Sequence, residues 1–229
     1  MGGDRPQAGE EVDGDGWGDA TVDGPGTLRP YRGGVFQDLD ETLAQLVQDE
    51  FDAVELEGVQ VSFAGPDDQF PPSGVTLPAI SFFLYDIREN LDLRSTQWEF
   101  DQEPPVTRRR PPVRLDCSYL ITAWPNENAP KPVEDEHRML GVVVRALLRH
   151  RRIPERFQHG EVAGPGQPLP ARLTAEGPLQ SIGEFWQAMG GRPKATVHYT
   201  VTVAVDVYEP VEVDSPPRVK KLDIHPQVR

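Results

Sequence analysis

The sequence has very few of the residues that several common protein classes require. It contains a single cysteine, Cys117, in 229 residues, which excludes an internal disulfide framework and a zinc site built from several cysteines. Basic residues are also scarce, because 23 Lys and Arg stand against 37 Asp and Glu, for a formal net charge of −14. Nucleic-acid binding relies on clustered basic surface, so we expect no nucleic-acid partner.

Long apolar runs and familiar catalytic motifs are missing as well. No run approaches the roughly 20 apolar residues of a membrane-spanning helix, and residues 1–20 have neither the basic nor the apolar stretch of a secretory signal. We therefore expect no membrane partner, no signal peptide and a cytoplasmic protein. The usual phosphate, dinucleotide, serine-hydrolase and zinc-protease motifs are absent. The sequence thus offers no catalytic residues, no metal ligands and no cofactor.

The acidity is divided between an unusual leader and the rest of the chain. Residues 1–30 contain seven acidic and two basic residues with frequent glycine, a net charge of −5, and the other 199 residues carry the remaining −9. Such a segment cannot bury enough apolar surface to offset its ordering entropy, so we expect a disordered leader over 1–30. A folded domain over 31–209 and an extended arm over 210–229 complete the expected organisation.

Apolar spacing predicts three helices, over about Val35–Phe51, Val133–His150 and Ile182–Met189. The second has acidic residues in its first turn and basic residues in its last turn, as the helix dipole favours. The third opens with the capping box of Ser181 and Glu184, and we expect its buried side to comprise Ile182, Phe185, Trp186 and Met189.

Alternating apolar residues predict the strands. Residues 195–208 and 113–123 each have one apolar and one polar row, and we expect the two to share a sheet with their polar rows on one side. Residues 77–87 are apolar on both faces, with Phe83, Tyr85 and Ile87 forming the second face, which favours a central strand or one that meets another subunit. A short strand over Val59–Phe63 and a hairpin arm at Trp98–Phe100 complete a mixed, mainly antiparallel sheet of about four strands packed by helices, an α+β fold.

Five features could carry chemistry or binding. Cys117 falls on an apolar row, which indicates an inert core thiol. The acidic residues and His137 at the start of the second helix point in different directions around the helix, which favours a dipole role over a metal site. His198 lies on a polar row and is either a titrating group or a sheet-surface residue. We expect the arginine run 108–110 to pair with a neighbouring chain's carboxylates or to stay solvated, and Tyr85, Asp86, Arg88 and Glu89 to hold local ion pairs.

Three stretches together form a more specific pattern: ISFFLYDIRENLDLR (80–94), RRPPVRLDCSYLITAW (109–124) and EDEHRMLGVVVRALLRH (134–150). The pattern resembles the tail-terminator, or cap, family of phage-tail-like extracellular contractile injection systems. The matching positions are Leu84, Tyr85, Ile87, Glu89, Asn90 and Arg94; Arg110, Pro111, Pro112, Leu115, Tyr119, Leu120, Thr122, Ala123 and Trp124; and Glu136, His137, Leu140, Gly141, Arg145, Ala146 and Leu147. The resemblance covers about residues 35–209, and the acidic leader departs from it.

The resemblance implies a structural, non-enzymatic role. Six copies would form a homo-hexameric ring that ends the inner tube and secures the last sheath layer, with the inner-tube and sheath proteins as partners, in a particle that could be released. The interface candidates that follow are Tyr85, Arg88, Glu89, Asn90, Arg94, Arg108, Arg109, Arg110 and Trp124, together with Val211, Val213, Leu222 and Ile224 of the arm.

Other readings remain open at this point. The arm after Tyr208 either adds a strand to a neighbour's sheet or frays, and the leader either keeps the protein soluble or docks. The chain could also be a stand-alone acidic protein-binding module, or an enzyme with a site around Asp116, His198 and Asp206 on the polar sheet face.

Overall fold

A computed structural model describes residues 34–56, 58–101, 103, 105–163, 169–174, 179 and 181–213. Three α-helices lie within these ranges: α1 (Val35–Ala53), α2 (Pro132–Arg149) and α3 (Ile182–Ala188). The strands are β1 (Gln60–Ser62), β2 (Ala79–Glu89), β3 (Glu99–Asp101), β4 (Thr107–Arg109), β5 (Val113–Trp124), β6 (Ala171–Leu173), β7 (Val197–Val205) and β8 (Val211–Glu212). The leader 1–30, Leu222 and Ile224 lie outside the described residues, so the expectations about them stay predictions.

Five strands form the main sheet in the order β1-β2-β5-β7-β6. β1 runs parallel to β2 and the other neighbours are antiparallel, which confirms the predicted α+β fold with a mixed sheet. The polar rows of β5 and β7 do share one side, since Ser118 and Thr200 are register partners and their hydroxyl oxygens are 3.3 Å apart. The sequence predicted about four strands, and the structure adds short ones that lack a full alternating pattern.

Helices α1 and α2 cover the apolar side of this sheet and form the main core with it. α1 buries a face that includes Leu39, Leu43 and Phe51, and α2 buries Val143 and Leu147 against the same cluster. Their spacing of three and four residues is the amphipathic pattern that predicted both helices. Near the C-terminal ends of the two helices, Arg149 Nη1 of α2 lies 2.5 Å from Glu50 Oε1 of α1, so the buried carboxylate has a partner.

A β-bulge in β2 changes which residues share a face. The register with β5 shifts between Leu84 and Asp86, so that Leu84 lies opposite Tyr119 and Ile87 opposite Cys117. The extra residue, Tyr85, reverses the alternation after it. The prediction that Ile87 shares the face of Phe83 was therefore wrong, because simple alternation cannot foresee a bulge.

The second face of β2 is covered in part by α3, where the rings of Phe83 and Phe185 lie 6.2 Å apart. β2 itself is an interior strand, between β1 and β5. Helix α3 begins as predicted, with the Ser181 hydroxyl accepting a hydrogen bond from the Glu184 amide. Its buried side is narrower than expected: Trp186 is buried, but Ile182 is 40% exposed. A helix of seven residues presents only about two turns, so one face suffices to cover Phe83.

A second, three-stranded sheet has the order β3-β4-β8. The predicted arm at Trp98–Phe100 corresponds to β3, which pairs with β4 in a segment that the sequence indicated only as a loop. β8 adds to β4 of the same chain, with Val211 opposite Arg108, and the amide of Val213 donates to the carbonyl of Val106. The start of the C-terminal arm, at Val211 and Val213, thus pairs with a segment of its own chain, and addition of the arm to a neighbour's sheet stays a prediction.

Candidate interface site

Several of the motif residues meet in a cleft where the two sheets adjoin. The cleft has a volume of about 490 Å³. It is lined by Glu89, Arg94, Ser95, Thr96, Trp98, Arg110, Pro111, Pro112, Val113, Arg114, Val207 and Tyr208. We call it the junction cleft. It is assembled by the end of β2, the start of β5 and the segment that follows β7, so it exists only because the main sheet places these ends side by side.

One member of the arginine run, Arg110, lines the junction cleft, and Arg108 lies beside it over the Trp98 ring. The guanidinium carbons of Arg108 and Arg110 lie 4.7 and 5.2 Å from the centre of the Trp98 ring, and that of Arg110 lies 4.8 Å from the centre of the Tyr208 ring. Residues 108 and 110 face the same side of their strand, whereas Arg109 faces the other and pairs with Glu99 at 2.7 Å. Within the described part of the chain, the run contacts the chain's own aromatic and acidic side chains, and its pairing with a neighbouring chain stays a prediction.

Asn90 joins the end of β2 to the cleft. Its amide nitrogen donates to both carboxylate oxygens of Asp116, at 3.1 and 3.2 Å, while its side-chain oxygen accepts from the Leu93 amide and caps a short turn at Leu91–Leu93. Asp116 also accepts from Thr202 and Arg172. These hydrogen bonds hold the pKa of Asp116 below its usual range, although its partial burial acts in the opposite direction.

The charged residues around Asn90 form local pairs, as predicted. Arg88 Nε lies 2.9 Å from an Asp86 oxygen, and Arg94 Nε lies 3.6 Å from a Glu89 oxygen. Tyr85, at the bulge, places its hydroxyl 3.1 Å from Nδ1 of His198. Burial lowers the pKa of His198 and, with the nearby Asp86 charge, raises the pKa of Tyr85 to about 12. Both groups are therefore neutral near pH 7, which fits a sheet-surface contact.

Trp124 lies at the opposite end of β5, away from the other candidates. Its ring stacks on Phe70 at 4.4 Å, its indole nitrogen donates to the Thr122 hydroxyl, and the Lys194 ammonium lies 5.0 Å from its ring centre. A separate groove of about 760 Å³ borders it. The nine interface candidates that precede the C-terminal arm, from Tyr85 to Trp124, thus lie in two regions of the structure rather than one.

The residues of the hypothetical enzyme site are not gathered together. Asp116 is the register partner of Thr202, whereas His198 is opposite Leu120, four residues further along β5 and about 13 Å away. Cys117 is buried, and burial together with the nearby Asp116 and Asp40 charges raises the pKa of its thiol to about 12, as expected of an inert core cysteine. In the described part of the chain, no three His, Cys, Asp or Glu side chains are grouped as metal ligands would be.

Reasoning from the sequence missed two residues of the cleft, Tyr208 and Arg114, and the anchoring role of Asp116 beside it. Arg114 and Asp116 lie on the polar row of β5, so their shared face was visible, but the partner that each contacts depends on chain segments distant in sequence. Tyr208 is the last residue of the predicted strand 195–208, but the observed strand ends at Val205, so alternation did not place Tyr208 in a cleft. Among the described helices, none has the length and apolar content required to cross a bilayer.

Comparison with known proteins gives a consistent family assignment. Residues 38–221 match the family model described as the Pvc16 N-terminal domain. Two cryo-EM structures are similar: the PVC sheath/tube terminator of an extracellular contractile injection system in its extended state (23% identity, TM-score 0.55, 85% of this chain and 67% of that chain) and the anti-feeding prophage cap, a tube-terminating cap (27% identity, TM-score 0.51, 79% and 59%). This chain thus spans about three fifths of the length of the second. No curated protein matches it.

Proposed function

Because this chain belongs to the Pvc16 N-terminal domain family, we propose that it is a structural cap that ends the tube of a contractile injection system. The similarity to the anti-feeding prophage cap, 27% identical over 79% of this chain, carries the proposal. In this role the chain binds the last layers of inner tube and sheath in the assembled particle and catalyses no reaction. Six copies arranged as a ring would match a hollow tube end.

Exposed apolar side chains next to the junction cleft support an assembly surface. Phe100 and Val211 are each 39% exposed, and both are register partners of Arg108, so they lie on one face of the three-stranded sheet. Leu91 and Leu93, on the adjoining turn, are 65% and 52% exposed. We define these four residues as the arm patch. Apolar groups concentrated beside a polar cleft are typical of surfaces that meet a partner protein.

We assign the arm patch to contacts between subunits or with the tube and sheath. Substitution of Phe100 and Val211 by Asp places two charges in this contact, so the double variant should no longer form rings while its monomer stays folded. Light scattering after size-exclusion chromatography measures the mass, and circular dichroism reports the fold. Val133→Asp, at an exposed site on α2 (63%), is the matched control. Unchanged ring formation by the double variant would remove the arm patch from the interface.

The cap role itself is tested by the position of the chain in a particle. An epitope tag on the chain, detected with gold-labelled antibody in negative-stain images, should mark one end of each particle. A tag after residue 229 avoids the described domain. Gold distributed along the sheath, or absent from particles altogether, would contradict the proposal and would instead favour a lateral or stand-alone binding protein.

A further inference from the structure

The junction cleft is positively charged in a strongly acidic protein. Arg94, Arg110 and Arg114 line it against one acidic residue, Glu89, a net charge of +2 where the whole chain carries −14. Glu89 is already paired with Arg94, and the flanking Asp206 and Glu209 each have an interaction of their own. The ion pairs observed near the cleft join Arg94 to Glu89, Arg109 to Glu99 and Arg172 to Asp116, and none of these three involves Arg110 or Arg114. The cleft therefore presents guanidinium groups to an anionic partner.

The same cleft also presents aromatic rings. Trp98 and Tyr208 both line it, and Arg110 lies over both rings. A ligand that combines carboxylates with one flat aromatic side chain would match this surface, because guanidinium groups pair with carboxylates and stack on aromatic rings.

The chain itself contains a segment of this composition. In the leader, Trp17 is the only aromatic residue of 1–30, and it stands between Asp13 and Asp15 on one side and Asp19 on the other, separated by glycines. Glycine spacing leaves the backbone free to fit an irregular surface. We propose that residues 13–19 dock in the junction cleft of the same molecule, with Trp17 against the Trp98 and Tyr208 rings and the aspartates on Arg110 and Arg114.

The geometry of α1 allows this docking. The helix ends at Ala53 and the chain soon enters β1, where Gln60 pairs with Ala79 opposite Trp124. The first residues of α1 therefore lie toward the other end of β5, the end at Val113, where the cleft lies. Its sixth residue, Asp40, accepts a hydrogen bond from Tyr119, and Tyr119 lies six residues from Val113, about 20 Å along the strand.

The remaining distance is short for the leader to span. Gly34 precedes Asp40 by six residues, about 9 Å of helix, which leaves about 11 Å to the level of Val113. About four extended residues cover that distance, and Asp19 lies fifteen residues before Gly34. The leader therefore reaches the cleft of its own molecule with chain to spare, and its effective concentration there favours the intramolecular contact.

The test measures whether the leader and the cleft compete. A fluorescein-labelled peptide of residues 10–24 is titrated, by fluorescence anisotropy, with the full chain and with a variant that lacks residues 1–30. The deletion variant should bind the peptide at least about tenfold more tightly, because its cleft is open, and binding should weaken between about 0.1 and 0.5 M salt. Equal affinity for the two proteins would overturn the proposal, because the leader would not occupy its own cleft.

Substitutions in the deletion variant locate the contact. The double variant Arg110→Glu, Arg114→Glu should bind the peptide about tenfold more weakly, or weaker still. Arg145→Glu, at an exposed arginine on α2, reverses one charge away from the cleft and should leave the affinity for the peptide nearly unchanged. If the double variant unfolds, the milder Arg114→Gln replaces it, and this variant should bind the peptide about threefold more weakly. A peptide with Trp17→Ala should bind more weakly than the parent. If the cleft variants or the Trp17→Ala peptide bind like their parents, the leader docks elsewhere and the proposal fails.

Discussion

At the scale of single residues, Asp40 connects the stability of the fold to pH. Its carboxylate accepts a hydrogen bond from the Tyr119 hydroxyl at 2.8 Å, inside the contact between α1 and the sheet. Burial raises its pKa to about 6 despite this hydrogen bond. The folded protein therefore holds a proton that the unfolded chain releases near pH 4. The stability that this proton contributes is complete below pH 4 and is lost as the pH rises through about 6.

Replacement of Asp40 by Asn should remove this pH dependence while leaving an acceptor for Tyr119. At pH 7.5 the variant should be as stable as the parent or more stable, by up to about 1–2 kcal/mol, since solvent reaches part of this site. Urea unfolding at pH 4.5 and 7.5 measures both free energies. Asp49→Asn, on the exposed side of α1, is the control. A variant whose pH profile matches the parent's would show that Asp40 does not titrate in this range.

Asn90 connects the end of β2 to Asp116 of β5 and to the turn that follows it. Substitution by Ala removes the cap of the Leu91–Leu93 turn and two hydrogen bonds to Asp116. We expect the free energy of unfolding to fall by about 1–2 kcal/mol. The control is Asn128→Ala, in an exposed turn. The hydrogen bond observed there is donated by the backbone amide of Asn128 to the Asn126 side chain, so this substitution should change stability little. A loss no larger than the control's would mean that Asp116 is held sufficiently by Thr202 and Arg172.

At the scale of secondary-structure elements, long periodic segments were predictable and short ones were not. α1, α2, β5 and β7 have repeated apolar spacing, so their positions follow from the sequence to within a few residues. β4 and β6 have three residues each and lie in segments rich in proline or arginine. Their strand conformation depends on the neighbour that each pairs with, which local sequence does not encode.

The candidate site divides in the same way. The local ion pairs around Arg88 and Arg94 could be foreseen, because their partners lie within a few residues in sequence. The cleft could not, since it needs the bulge at Tyr85 and the meeting of β2, β5 and the segment after β7. Ile87 shows the cost of assuming strict alternation: one extra residue moves it to the opposite face.

The three-stranded sheet depends on Trp98 more than on its few backbone hydrogen bonds. Two guanidinium groups lie on this ring, and strands of two or three residues are marginal by themselves. Trp98→Ala should therefore open the arm and speed trypsin cleavage after Arg108 and Arg109, by about tenfold. Gel analysis of timed digests measures the rate. Phe100→Ala, which removes an exposed ring from the same face, is the control, and equal digestion rates for the two would contradict this role for Trp98.

At the scale of the whole molecule, net charge constrains assembly. A ring of six copies, as we propose, would bring together 6 × 14 = 84 formal negative charges, and their repulsion must be relieved by basic partner surface or by salt. The junction cleft reduces this repulsion locally if it binds acidic residues. If the leader docks, its aspartates pair with guanidinium groups of the same subunit. Part of each subunit's negative charge is then neutralised before the ring forms.

The central claim is that this chain stops the growth of the tube. Negative-stain images of particles from a strain that lacks the chain measure this most directly, with the restored gene as the control. We expect particles of irregular length with open ends in the deletion strain, and uniform, capped particles once the chain is restored. Uniform, capped particles in its absence would contradict the claim.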